Sequence, residues 1–163
     1  MGGFSGLPDK PADLIDYIRE AYHRHGLRTL DRAGELLSSA LIADGETCQE
    51  LYEVGRLLER YRLLLCAHLT LQESVLFAEA LRPDRSVAAA ERIGESVRLD
   101  LAALAKITHD LRMITLEYTG LPRGCSDAAP LLSALRELEA DGRRHLYVER
   151  EILVPLLRDD SAS

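Results

Sequence analysis

His145-Leu-Tyr-Val-Glu149-Arg-Glu-Ile-Leu-Val-Pro155 reads as helix and carries a His and a Glu four residues apart. That spacing puts both side chains on one face, one turn apart. Followed in both directions, the stripe is Leu131, Leu135, Leu138, Gly142, His145, Glu149, Ile152 and Leu156. A His and a Glu thus stand where a core-facing stripe calls for Leu. Ionisable groups placed there cost several kcal/mol unless they are paired or coordinated. The remainder of the chain must supply their partners.

Three further helices are expected upstream. The first runs from Pro11 to Ile42, opened by Asp9 or Asp13 and stopped at Ala43-Asp44-Gly45, with His23, Leu27, Leu30, Gly34, Leu37 and Leu41 inward. Thr47-Cys-Gln-Glu50 has the form of a capping box and opens the second. That helix runs to about Leu81, before Pro83, with Val54, Leu57, Tyr61, Leu64, His68, Gln72 and Val75 inward. The third begins near Ser86 and runs to Tyr118 or Thr119. Its stripe is Ala90, Gly94, Val97, Leu101, Leu104, Thr108 and Leu111. Ser126 is placed to cap the fourth, which fades near Leu157. No strand alternation, Gly-rich phosphate loop or short repeat interrupts this pattern.

Four long helices with short connections predict an all-α, up-down-up-down four-helix bundle over 11–158, with a flexible N-terminus at 1–10 and a flexible tail at 159–163. Antiparallel neighbours allow a level count at 1.5 Å per residue. His23 precedes Ile42 by about as many residues as His68 follows Cys48. His145 lies as far into the fourth helix as Leu101 lies from the end of the third. His23, His68, His145 and Glu149 therefore share one layer with Leu101. His109 lies roughly 12 Å further along the axis. A partly buried helix position is expected for it. Three His and one Glu converging inside a bundle is how metal sites are built on this architecture, and the donor set suits iron, manganese or zinc. A hydrogen-bonded polar network is the other way to satisfy the same groups.

Composition narrows the function. The chain has 163 residues, a size suited to one domain. A net charge of -7 argues against non-specific nucleic-acid binding. No apolar run approaches the roughly 20 residues of a membrane span, and no secretory leader is evident. Cys48, Cys66 and Cys125 are odd in number and widely spaced, which points to reduced thiols in a cytoplasmic protein and not to a disulfide framework.

The same residues carry a resemblance. Asp13-Leu-Ile-Asp-Tyr-Ile with Tyr22-His23, His68-Leu-Thr-Leu-Gln-Glu-Ser-Val-Leu-Phe77, and Leu111-Arg112 with Ile114-Thr115, Tyr118, Pro122 and Cys125 form the first part of it. His145-x-x-x-Glu149 with Ile152-Leu153 and Pro155 completes it. Together they resemble the hemerythrin-like (HHE) domains of the di-iron iron–sulfur-cluster repair proteins, over Asp13 to Leu156. The resemblance implies a non-haem iron centre with His23, His68, His145 and Glu149 as ligands. It also implies small-molecule partners such as oxygen, nitric oxide or peroxide, and a role in nitric oxide or oxidative stress that includes iron–sulfur proteins. Two family ligand positions differ, since Gln72 stands where the family has a bridging Glu and Leu101 where it has a His. One ion is therefore expected in place of two. The alternatives are a bundle that binds no metal and acts as a binding or regulatory module, and a diverged metalloenzyme on a small organic substrate.

Overall fold

The structure is a computed structural model that describes residues 6–84, 87–122, 125 and 128–161. Ser86 and Ser126, expected at the starts of two helices, lie outside the described residues, as do 1–5 and 162–163. The described residues form four long helical stretches and no strand, as the periodicity predicts. We label them α1 (11–44), α2 (50–80), α3 (87–114) and α4 (129–161). Each packs against the next along the chain, and α4 also packs against α1. The core follows the apolar stripes at Leu30, Leu111, Leu131, Leu135 and Leu138, and extends beyond them to Leu14, Ile15, Ile18, Leu51 and Ile93, all essentially buried.

Three of the four helices are not uniform α-helix. Each contains a π-helical turn, Arg19–Arg24 in α1, Gln72–Leu76 in α2 and Glu149–Leu153 in α4. A π-turn adds a residue to the ladder and shifts the register of the helix beyond it. The shift corrects two predicted stripes. Leu76 is buried where Val75 is expected, and Leu153 is fully buried where Ile152 is expected. In α1 the turn accommodates the five-residue step from the buried Ile18 to the buried His23.

The ends also differ from expectation. The capping box at Thr47 does not form. Gln49, not Thr47, precedes the first helical residue and has helical backbone angles, while the Thr47 hydroxyl donates to the Asp44 carbonyl oxygen at 3.1 Å. α3 ends at Ile114 and not at Tyr118 or Thr119, because Leu116, Glu117 and Tyr118 all adopt positive φ. Three consecutive left-handed residues without glycine are costly, at about 1–2 kcal/mol each. The Tyr118 hydroxyl, which donates to Glu139 Oε2 at 2.7 Å, helps hold the turn in place. Arg112 and Arg143 also reach Glu139, so this buried carboxylate is fully paired. α4 runs on to Ser161, past Leu157.

Cys48 and Cys125 are bonded to each other, with Cα atoms 6.1 Å apart. The bond joins the α1–α2 connection to the segment that leads into α4. This overturns the expectation of three reduced thiols and removes the argument from cysteine usage for a reducing compartment. Spacing alone could not show it, because the partners are 77 residues apart and meet only after the helices pack. Cys66 is free and exposed. One helix, Glu50–Ala80, is long and apolar enough to cross a membrane by length and composition. That departs from the expectation drawn from uninterrupted apolar runs, although this helix also carries the buried polar residues His68 and Gln72.

Candidate metal centre

His23, His68, His145 and Glu149 converge, as the level count predicts. All four are buried, with Glu149 at 0% exposure, and one donor atom from each lies within 4.8 Å of the others. Glu149 is the hub. Its Oε1 is 2.9 Å from His145 Nε2 and 3.7 Å from His23 Nε2, and its Oε2 is 3.3 Å from His68 Nε2. Gln72 Nε2 donates to Oε2 at 3.0 Å. Gln72 is itself fully buried, and Leu101 lies partly buried beside the core, where the third-helix stripe places it.

The imidazoles are held from behind. His23 Nδ1 is 2.6 Å from Glu73 Oε1, and His68 Nδ1 is 2.7 Å from Asp100 Oδ2. A carboxylate can only accept, so each Nδ1 carries a proton and each Nε2 faces inward, with a lone pair when the ring is neutral and a second proton when it is charged. His23 Nε2 and His68 Nε2 have no hydrogen-bond partner among the described residues, and neither does Gln72 Oε1. Glu149 is too far from His23 Nε2 for a hydrogen bond, and it lies close to His68 Nε2 without the alignment of one. With both rings neutral, two lone pairs would face a carboxylate, an arrangement that needs a proton or a cation between them. His145 differs, because its Nε2 is already engaged with Glu149. It can join an ion only by moving that proton to Nδ1.

Electrostatics agree with this assignment. Burial pulls the His145 imidazole below its usual range, against the attraction of Glu149. Burial acts on His68 in the same direction, but Glu149 and Asp100 outweigh it and push His68 up to about 9. Burial would raise Glu149, yet the neighbouring imidazoles of His145 and His68 hold its carboxyl well below the usual range. Without a cation, the Glu149 charge is thus balanced by a proton on His68.

The donor set fits a divalent or trivalent ion. Bonds of about 2.0–2.2 Å place donors on opposite sides of an ion up to about 4.4 Å apart, so a contraction of a few tenths of an ångström would close the group around one. A carboxylate behind each of two ligating imidazoles is the outer arrangement that fixes tautomer and orientation at such sites. Nearby rings complete the walls. His23 stacks on Phe77 at 5.7 Å, and Tyr22 stacks on His145 at 5.5 Å with the planes 3° apart. A small cavity of about 20 Å³ lies against His68, Asp100 and His145, lined otherwise by apolar side chains and Tyr61.

Asp100, which bonds to His68, is the residue of the candidate centre that the stripes do not single out. It stands one place before Leu101, off the core stripe, and an acid in that position reads as surface. Glu73 is visible in the sequence as an acid beside Gln72, but its hold on His23 is not. His109 is exposed, against the partly buried position expected for it, and takes no part in the centre. His25 lies 41% exposed and bonds to Asp141. Comparison with known proteins finds no matching family model, no matching curated protein and no matching solved structure.

Proposed function

We propose that this chain is a hemerythrin-like metalloprotein whose helices run up-down-up-down and whose buried centre holds one non-haem iron ion. His23, His68 and Glu149 are the core ligands, and His145 is a fourth that joins after losing its Nε2 proton. The observation that carries this reading is the pair of inward Nε2 atoms on His23 and His68. Each is fixed by a carboxylate behind it, and neither has a hydrogen-bond partner among the described residues. The neighbour relations of the helices are those of such a bundle. Iron bound there would supply open coordination positions for oxygen, nitric oxide or peroxide. The resemblance to iron–sulfur-cluster repair domains extends the proposal to stress caused by those molecules. The chain's own contribution is to orient two imidazoles through Glu73 and Asp100. It also keeps Glu149 ionised and surrounds the ion with Phe77, Tyr22 and leucines that restrict water. Nucleic acid and membrane are not partners in this reading.

A second reading is favoured by the bond from Gln72 to Glu149. The bundle then keeps a closed polar network without metal and acts as a binding or regulatory module. Metal analysis of protein purified without chelator, repeated after anaerobic iron(II) loading, separates the two. About one iron per chain, lost on His68→Ala, is the expected result. No iron after loading overturns the proposal in favour of the second reading. About two irons would restore a di-iron centre and overturn the reading of Gln72 and Leu101 as lost ligand positions.

A further inference from the structure

Across the seam between α1 and α4 lies a second group of metal-ligating side chains. His25 Nε2 is 3.0 Å from Asp141 Oδ2 and 4.0 Å from Glu137 Oε1, and the three donors lie within 4.8 Å of one another. Glu137 and Asp141 are four residues apart on α4, hence on one face. A simple tie between the helices needs only His25 and Asp141. Glu137 adds a third donor on the same side. Around a zinc ion with bonds of about 2.0–2.2 Å, tetrahedral neighbours sit about 3.3–3.6 Å apart, a spacing that the distances from His25 to Asp141 and Glu137 bracket.

The donor types select the ligand. One imidazole with two carboxylates suits a borderline divalent cation such as zinc, whereas magnesium retains water and prefers oxygen alone. His25 and Glu137 are 41% and 43% exposed, which leaves a path in and room for water as the remaining ligand. Arg32 and Arg144 lie 3.8 Å from Glu137 and 3.4 Å from Asp141 and compete for the same carboxylates. Both arginines are more than half exposed, and such pairs contribute about 0–1 kcal/mol, so they swing aside with little loss.

We infer that His25, Glu137 and Asp141 form an outer site for a borderline divalent cation, separate from the buried centre. The test is zinc titration of chelator-treated Cys66→Ser protein, which lacks the one exposed thiol among the described residues. Bound zinc is counted by equilibrium dialysis. The expected result is two ions per chain. His25→Ala removes one of them, and His68→Ala removes the other. Glu137→Gln leaves the bond between His25 and Asp141 in place, so the fold is kept, and weakens the outer ion about ten-fold or more. Unchanged binding after both His25→Ala and Glu137→Gln overturns the inference, as does a complete lack of zinc binding. A single ion lost on His25→Ala but not on His68→Ala supports the outer site and removes the buried one. A single ion lost only on His68→Ala does the reverse.

Discussion

Gln72 donates its amide hydrogen to Glu149 across the centre of the molecule, joining α2 to α4 at 3.0 Å between two fully buried side chains. The neutral amide leaves Glu149 as the one carboxylate between the inward faces of His23, His68 and His145. Gln72→Glu would set two carboxylates against each other there. We expect the metal-free variant to lose about 3–5 kcal/mol, the scale for an uncompensated buried charge. Iron(II) or zinc should restore much of that loss. Thermal unfolding with and without the ion measures both effects, and a variant as stable as wild type in chelator would contradict the geometry.

Stability of the metal-free protein should peak near pH 6.5 and fall on both sides. His68 is raised in the folded state to about 9, so its contribution is fully present below the unfolded value of about 6.5. It is then lost as pH rises through 9. His145 and Glu149 are both lowered, so their contributions are present above their unfolded values and are lost as pH falls. The His68 arm amounts to about 3 kcal/mol when it is lost in full. Denaturant unfolding at pH 6 and pH 10 tests it, and equal stability at the two values would count against a proton on His68. Because the ion displaces that proton, metal affinity should rise with pH up to about 9.

Asp100→Asn and Glu73→Gln should each lower metal affinity about 10–100-fold while leaving every ligand in place. An amide can present its NH2 to Nδ1, which pulls the lone pair outward and the proton inward. Competition against a chelator of known affinity gives the ratio. If neither change alters affinity, the two carboxylates are solvated neighbours only.

Reduction of the bond between Cys48 and Cys125 should lower stability by about 2–4 kcal/mol, since it releases a long loop in the unfolded chain. It should not change the number of ions bound, because the bond lies in helix connections outside the centre. Unfolding and metal analysis with and without a phosphine reductant check both statements. Loss of metal on reduction would show that the connections hold the centre together.

Much of the centre is legible because two simple periods intersect in it. A stripe at 3.6 residues picks out His23, His68, Gln72, His145 and Glu149, and a rise of 1.5 Å per residue puts them at one level. Both rules concern regular helix, and they fail where the helix is irregular. Val75 and Ile152 are misplaced because each lies within a π-turn that the periodic reading does not contain. Asp100 escapes notice because a hydrogen bond to Nδ1 reaches sideways from a flank and leaves no mark in hydrophobic periodicity. The bond between Cys48 and Cys125 depends on where two helix connections meet in space. Thr47 matches a capping box as text, but the tight turn continuing from Asp44 has already set the backbone.

The three π-turns have a further bearing on how the chain tolerates change. Each is a one-residue insertion kept within an otherwise ordinary helix, and each contains or begins at a residue of the centre. Deleting a residue from one of them would give an unbroken α-helix, yet it would turn everything beyond by about 100° relative to its neighbours. The helices are therefore written in two phases, one before the centre and one after it, and His23, Gln72 and Glu149 stand at the changes of phase.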